Sequence, residues 1–268
     1  MSMSSTALFP TLVAWLVDLD ETWPSEVLSP QEVERSALFV HAVDAQRYRA
    51  AHAALRVLLA QTSEVPVQGI RIETLPQGKP IMSPQVHAHL AQPFSLSHSG
   101  GLGVVLLQEG LPKGDLAQAL GVDVELMAQR MGMAAMMGQY MSDDECMALL
   151  ALPMAERDLA ALRCWTRKEA VLKALGCGLA CDPRHITVGL EPGETVLPAV
   201  LIQEALKAVG RTGQAMFVST TEVIIHLQSG QAFEAMLSAA LLLPPGAHAA
   251  PTGLRLSLRA ASRSGDPA

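Results

Sequence analysis

The sequence of 268 residues predicts an α+β fold with antiparallel sheet. Strand-like and helix-like segments are mixed along the chain without a regular alternation, which argues against a doubly wound fold around a parallel sheet. Half of the residues are hydrophobic, which allows a sizeable core in one large domain or in two packed halves. The stretch LPKGDLAQAL, residues 111–120, has the composition of a joint between two halves.

The first half, residues 1–114, is predicted to begin with a strand and to continue with two helices. The apolar run TLVAWLVDL has the length of one buried strand. In SPQEVERSALFV, Ser29 is the expected helix cap, Pro30 starts the first turn, and Glu32 completes a capping box. A longer helix is expected from Asp44, and two strand-like stretches follow: GIRIETL and PFSLSHSGGLGVVLLQEG.

The second half, residues 115–244, is predicted to begin with the short alternating strand GVDVEL. The stretch MAQRMGMAAMMGQYMS is expected to be helical, a further helix starts at Ser142, and the longest helix covers residues 153–176. Strands follow at 185–193 and 215–228, whereas residues 233–243 suit a strand or a helix. Residues 245–268 are rich in Pro, Gly, Ala, Ser and Arg, which predicts a flexible tail.

The charge and cysteine content narrow the class of protein. A net charge of −7 argues against nucleic acid as a general partner, so that any anionic ligand needs a local basic pocket. The four cysteines match no common zinc spacing, and free, mostly buried thiols suit a reducing compartment. No segment has the character of a membrane span or of a signal peptide. We therefore expect a cytoplasmic protein that binds neither nucleic acid nor membranes.

Three carboxylates are candidates for a metal site. Asp123 and Glu125 are two apart on a strand and share one face, where they form either a solvated surface or a site for Mg²⁺ or Mn²⁺. On the longest helix, Trp165, Glu169 and Lys173 follow at a spacing of four and share one face. This column is either a surface Glu–Lys pair beside a core Trp, or a third metal ligand next to a phosphate-binding lysine.

Several other polar residues are suited to an anion but are unremarkable when taken singly. Ser97 and His98 end a strand next to a pair of glycines, whose backbone N–H groups can approach a ligand closely. Lys79 lies in a turn before Pro80, and Arg47 lies on a helix.

Taken in order, the segments RYRAAHAALR, GKP, FSLSHSGG, GVDVE, SDDE and WTRKEAVLKALGCGL resemble a 4'-phosphopantetheinyl transferase of the surfactin-synthetase-activating type. The resemblance extends from about residue 29 to residue 180. It implies a monomer of two pseudo-symmetric α+β halves, each a small antiparallel sheet packed on a long helix, with the active site in the cleft between them. The implied reaction converts coenzyme A and an apo carrier protein into the holo carrier protein and 3',5'-ADP.

The resemblance also implies roles for individual residues. The implied magnesium ligands are Asp123, Glu125 and Glu169. The implied catalytic residues are Glu169, Lys173 and Glu145, the last as general base for the carrier serine, unless a metal-bound water takes that role. The implied contacts to coenzyme A are Arg47, Lys79, Pro80, Ser97, His98 and Lys173. One departure is Glu32, which falls where a lysine often helps to bind the adenine-side phosphate, although Arg35 keeps a cation one turn later.

Two other functions use the same residues. A metal-dependent phosphohydrolase would cleave coenzyme A without a protein acceptor, and a coenzyme A- or carrier-binding module would perform no chemistry. Fatty-acid, polyketide and nonribosomal-peptide carriers all remain open as partners. The Met-rich stretch is either a buried helix or a surface that docks the carrier, and we expect docking near Arg130, Met131, Met133, Met136 and Met137, since methionine suits adaptable surfaces.

Overall fold

A computed structural model describes residues 11–109, 119–227, 229–243, 246–247 and 255–262. These residues form two four-stranded sheets that pack against helices, which confirms the predicted α+β class. The predicted boundary between residues 114 and 115 lies outside the described residues, so the division into halves at that position stays a prediction. No helix in the described ranges is both long enough and apolar enough to cross a membrane.

The elements are labelled in chain order. The helices are α1 (Pro30–Ser36), α2 (Ala42–Ser63), α3 (Pro84–His87), α4 (Asp143–Ala151), α5 (Met154–Leu175) and α6 (Gln203–Ala208). The strands are β1 (Thr11–Asp18), β2 (Ile72–Thr74), β3 (Pro80–Met82), β4 (Phe94–Ser99), β5 (Leu102–Glu109), β6 (Leu120–Leu126), β7 (Gly193–Leu197), β8 (Met216–His226), β9 (Ala232–Leu242) and β10 (Arg255–Ala260).

The first sheet has the strand order β10-β1-β5-β4, and helix α2 packs against it. Residues 255–260 belong to this sheet, which corrects the prediction of a flexible tail for that segment. They form β10, which pairs in parallel with β1, and Arg259 lies 5.4 Å from the ring centre of Trp15. The pairing covers an edge of β1 that would otherwise expose unpaired backbone groups.

The capping box at Ser29 is confirmed, and its acid has further partners inside the first half. Glu32 accepts a hydrogen bond from the backbone N–H of Ser29 at 2.7 Å and one from Nε of Arg56 at 2.7 Å. Its other oxygen lies 3.2 Å from Nδ1 of His52. Burial raises the pKa of Glu32, but the hydrogen bonds from His52 and Arg56 outweigh burial and lower the pKa to about 2. Glu32 therefore ties α1 to α2 as an ion pair.

We expect Glu32→Gln to lower the free energy of unfolding by about 3 kcal/mol at pH 7, the value that follows from a pKa lowered from 4.5 to about 2. Because the pKa of the folded state is depressed, this stability is fully present above pH 4.5 and is lost as the pH falls towards 2. Urea unfolding at a series of pH values measures it, with the exposed Glu34→Gln as the control. An equal loss at pH 7 and at pH 3 would contradict the assignment.

The second sheet is antiparallel throughout, with the order β6-β9-β8-β7, and the long helix α5 packs across β6 and β9. Residues 233–243, for which the sequence allowed a strand or a helix, lie in or next to strand β9.

The Met-rich stretch is not the predicted helix but two short 3₁₀ turns, residues 127–130 and 134–139. Gly132 has a positive φ of 84° between the turns, and Asp158 accepts the N–H groups of Gly132 and Ala134, which interrupts a continuous helix.

The two sheets meet along β4 and β6, which are the edge strands of their sheets. We call this contact between β4 and β6 the seam. Serine side chains at alternate positions of β4 link them. Ser95 accepts the backbone N–H of Val122, and Ser99 accepts that of Leu126. An apolar core contributed by both sheets lies behind this seam. The seam is the position at which the alternating strand GVDVEL presents its carboxylates.

Candidate active site

Asp123 is the most enclosed carboxylate of the seam, with only 3% of its surface exposed. Its Oδ1 accepts hydrogen bonds from the hydroxyl of Ser97 at 2.9 Å and from Nζ of Lys173 at 2.6 Å. Its Oδ2 is buried and has no hydrogen-bond partner. A buried carboxylate oxygen without a partner is costly unless a ligand or cation satisfies it.

Glu125 follows Asp123 on the same strand and faces the long helix. It accepts hydrogen bonds from the hydroxyl of Ser99 at 3.1 Å and from Nε1 of Trp165 at 3.2 Å. The ring of Trp165 also lies edge-on to Tyr140, with ring centres 5.2 Å apart. Trp165 is therefore a polar partner of the acidic strand as well as an anchor of the helix.

Glu169 and Lys173 occupy the next two turns of α5 and line a cavity of about 480 Å³. Trp165 and Lys79 line the same cavity, and much of the remaining wall is apolar, with Phe94, Leu96 and Leu172. Lys173 bridges Asp123 and the hydroxyl of Ser97, so that the helix column predicted from the sequence joins the acidic strand. Within the described ranges no hydrogen bond is found for the carboxylate of Glu169.

The pKa values of all three carboxylates are raised above their ordinary values. Burial raises the pKa of Asp123, although Lys173 opposes the rise. Burial, and then the charge of Asp123, raise the pKa of both Glu125 and Glu169. Together they form a partly enclosed negative site that a cation would stabilise.

The chemistry of these donors fits a hard cation such as Mg²⁺, and the unpartnered Oδ2 of Asp123 is an oxygen suited to it. In the described conformation, however, no group of three His, Cys, Asp or Glu residues in the described ranges is arranged to hold a metal ion. Glu125 is turned towards Ser99 and Trp165, while Lys173 occupies the position next to Asp123. The metal-ligand role of these carboxylates thus stays a proposal.

Lys79 and Pro80 reach the cavity from the β2–β3 hairpin. Nζ of Lys79 donates to the carbonyl of Leu120 at 3.0 Å and to that of Ala174, near the end of α5, at 2.9 Å. Burial, and then the charge of Arg211, lower the pKa of Lys79 to about 8. A side chain at Gly176 would place its Cβ 2.9 Å from Cδ of Lys79, so this crossing requires glycine at the end of the helix.

His98 and Arg47 belong to the surface beside the seam and do not line the cavity. Burial, and then the nearby charge of Lys173, lower the pKa of His98. Arg47 binds both carboxylate oxygens of Asp20, at 2.7 and 3.1 Å. The structure therefore brings Lys79, Pro80, Glu169 and Lys173 to one cavity, with Ser97, Asp123 and Glu125 next to it. Arg47 and His98 lie at its periphery.

Glu145 is not part of this group. Its side chain is enclosed, with 2% of the residue exposed, and its Oε2 lies 2.6 Å from Nζ of the fully buried Lys168. The same carboxylate accepts the backbone N–H groups of Ser142 at 2.9 Å and of Val188 at 2.7 Å. A general base must lie within hydrogen-bond reach of the hydroxyl that it deprotonates. In this conformation Glu145 is a structural group instead.

The sequence analysis did not predict the roles of three residues at or near the site. Ser95 and Ser99 join the two halves, and Lys168 neutralises Glu145. The serines had a visible signal, because Ser95, Ser97 and Ser99 alternate along one strand and must share a face. Lys168 had none, because its neighbours in the sequence are equally polar and only the tertiary packing shows which of them is buried.

Comparison with known proteins finds similarity to 4'-phosphopantetheinyl transferases. The model of the 4'-phosphopantetheinyl transferase superfamily matches residues 119–231. A Synechocystis sp. protein provisionally named as a 4'-phosphopantetheinyl transferase is 30% identical over 156 residues, which are 58% of this chain and 59% of that protein. The 4'-phosphopantetheinyl transferase HetI of Nostoc sp. is 26% identical over 194 residues, covering 70% of this chain and 78% of HetI.

The similarity extends to a eukaryotic protein. The L-aminoadipate-semialdehyde dehydrogenase-phosphopantetheinyl transferase of Schizosaccharomyces pombe is 27% identical over 225 residues, which cover 79% of this chain and 86% of that protein.

Proposed function

We propose, from the premise that the chain belongs to the 4'-phosphopantetheinyl transferase superfamily, that it is the transferase itself. It would transfer the 4'-phosphopantetheine group of coenzyme A to a serine of an apo carrier protein and release 3',5'-ADP. The observation that carries the proposal is the meeting of Asp123, Glu125 and Glu169 with Lys173 beside one cavity at the seam.

The reaction requires charge stabilisation at a diphosphate. Asp123, Glu125 and Glu169 would hold Mg²⁺, or Mn²⁺ in its place. The bound ion would supply positive charge to the phosphate oxygens as the bond to the leaving group breaks. The chain's own contribution is to keep these carboxylates in a partly enclosed, low-dielectric seam, where charge interactions are stronger than in water.

Lysines of the cavity bind the anionic substrate. The side chain of Lys173 is partly exposed to the cavity and is held by Asp123 and Ser97, so its ammonium group is fixed next to the position of the phosphates. Lys79 approaches the cavity from the other half and would contact coenzyme A together with Pro80. Because Glu145 is enclosed, we propose that the proton of the attacking serine passes to a different group at the cavity.

The test is incubation of the protein with coenzyme A, Mg²⁺ and several apo carrier proteins of the fatty-acid, polyketide and nonribosomal-peptide classes. Intact-mass analysis should show at least one carrier heavier by one phosphopantetheine group. If every carrier keeps its apo mass while the protein is folded and binds coenzyme A, the chain is a binding module and the proposal is wrong.

The carrier should dock beside the Met-rich stretch, but on fewer residues than the sequence suggests. Met131 and Met136 are 76% and 42% exposed. Met133 is only 9% exposed, and both Met133 and Met137 pack into the core of the second half, which corrects their assignment to the docking surface. We therefore restrict the proposed surface to Arg130, Met131 and Met136.

We expect Met131→Asp and Met136→Asp to raise the KM for the carrier and to leave the KM for coenzyme A unchanged. An added carboxylate places a charge in an apolar docking contact and should weaken that contact. Steady-state kinetics with each substrate varied separately measure the effect. Val200→Asp, at an exposed apolar residue elsewhere in the second half, is the control. Equal changes in both KM values would contradict the docking assignment.

A further inference from the structure

Two thiols lie together at the turn that follows α5. The backbone N–H of Ala180 donates to the carbonyl of Cys177 at 3.1 Å, and that of Cys181 donates to the carbonyl of Gly178 at 3.3 Å. This tight turn brings the two cysteines close together, and both side chains belong to the same core cluster. Both are buried and both are free thiols.

Cys181 is the one of the pair that a ligand can reach. It lines the candidate active-site cavity together with Glu169, Lys173 and Pro183, and it also lines a smaller cavity on its other side. The other two cysteines differ: Cys164 is fully buried, and Cys146 lies on α4 and does not line the cavity. Cys177 is buried and does not line the cavity, so the disulfide reaches Cys181 first and Cys177 is placed to act second.

The cavity wall suits the thiol arm of coenzyme A. Lys173 and Glu169 mark its charged side, while Phe94, Leu96 and Leu172 provide an apolar wall for the pantetheine chain. This step rests on the proposed function, which places coenzyme A in the cavity. The arm of that ligand ends in a thiol, and its oxidised form is a disulfide.

We propose that Cys181 is a modification site that exchanges with the disulfide of coenzyme A, and that Cys177 resolves the adduct. The Cys181 thiolate attacks one sulfur of the disulfide, whose S–S bond breaks, and one coenzyme A leaves as a thiolate that takes up a proton. Cys177 then loses its proton to water and attacks the sulfur of Cys181, which releases the second coenzyme A. The cysteine pair is oxidised by the loss of two hydrogens, and the disulfide is reduced to two thiols.

The modification should inhibit transfer by blocking the cavity. The turn between the two cysteines packs against the hairpin of the other half, since a Cβ at Gly178 would lie 2.8 Å from the carbonyl oxygen of Gln77. Gly176, Gly178 and Pro183 of the same segment line the cavity. An adduct on Cys181 would fill that space, and a Cys177–Cys181 disulfide would fix the segment. Transfer activity should therefore fall on treatment and return with a reductant.

The experiment treats the reduced protein with coenzyme A disulfide, without carrier, and follows intact mass with time. We expect the wild type to pass through an adduct of one coenzyme A to a form lighter by two hydrogens. Cys177→Ser should accumulate the adduct, and Cys181→Ser should form neither product. Cys181→Ala serves as a second variant, and thermal melting checks that both variants are folded. Glutathione disulfide, which lacks the nucleotide, should react several times more slowly with the wild type.

Three results would overturn the inference. Peptide mapping could place the adduct on Cys146, or folded Cys181→Ser could form as much adduct as the wild type. The third is that the wild type reacts equally fast with coenzyme A disulfide and with glutathione disulfide. Transfer by the reduced wild type is measured separately, so that the two proposals can fail independently. Normal transfer without an adduct would contradict only the proposed thiol–disulfide exchange. An adduct on Cys181 without transfer would contradict the proposed function and would still support Cys181 as the exchange site.

Discussion

Asp123→Asn is expected to lower kcat for phosphopantetheine transfer by about a hundredfold to a thousandfold, the usual effect of removing one charge-stabilising group. Asparagine has nearly the same shape, but it cannot supply the negative charge that Lys173 and a bound cation require. The protein should remain folded, because burial already disfavours the charge of Asp123. Steady-state kinetics with coenzyme A, apo carrier and titrated Mg²⁺ measure the effect.

The matched control is Asp144→Asn, since Asp144 is an exposed acid on α4 outside the seam. It should transfer at the rate of the wild type. Full activity of Asp123→Asn in the presence of EDTA would show that the reaction depends on neither the carboxylate nor a divalent cation, and the metal assignment would have to be abandoned.

Glu145→Gln is expected to destabilise the fold by about 3–5 kcal/mol, because it leaves the ammonium group of Lys168 buried without a counter-charge. Lys168 also donates to the carbonyls of Pro183 and Ile186, so the loss should loosen the segment that follows α5. For the fraction that remains folded, kcat should fall by much less than the hundredfold or more that removal of a general base causes. Urea unfolding and kinetics on the same preparation separate the two effects.

A double variant sharpens this test. Glu145→Gln combined with Lys168→Met removes both charges, and it should recover part of the stability lost in Glu145→Gln alone, since no buried charge is left unpaired. The exposed Glu156→Gln is the control and should be neutral. A Glu145→Gln protein that is as stable as the wild type but has lost its turnover would restore Glu145 as the base.

Local patterns of the sequence predicted much of the site. Asp123 and Glu125 share a face because side chains alternate along a strand, and Glu169 and Lys173 share a face because a helix repeats every 3.6 residues. Their convergence follows from the packing of α5 on β6, which brings Lys173 to Asp123 and Trp165 to Glu125. Motif order indicated this meeting through the family resemblance, whereas periodicity alone does not specify contacts between distant elements.

Glu145 illustrates which contacts local sequence patterns do not predict. Its position three residues after Ser142 signals a capping box, and the structure contains that box. Its other partners, Lys168 and the backbone of Val188, are distant in sequence and were not visible in any local pattern. The same limit applies to β10, whose alternating Leu256 and Leu258 suit a strand, although its partner β1 is at the opposite end of the chain.

The predicted helix in the Met-rich stretch was wrong for a different reason. Its composition favours a helix, but Gly132 adopts a left-handed conformation and Asp158 competes for the backbone N–H groups that a helix would use. Tertiary contacts therefore overrode local propensity and divided the methionines between core and surface.

The most direct test of the proposed transferase is the release of 3',5'-ADP from coenzyme A, measured with an apo carrier and with the same carrier carrying alanine in place of its acceptor serine. We expect release in a one-to-one ratio with holo carrier formation, and none above background with the alanine carrier. Cleavage of coenzyme A that proceeds equally with the alanine carrier would identify a phosphohydrolase and contradict the account.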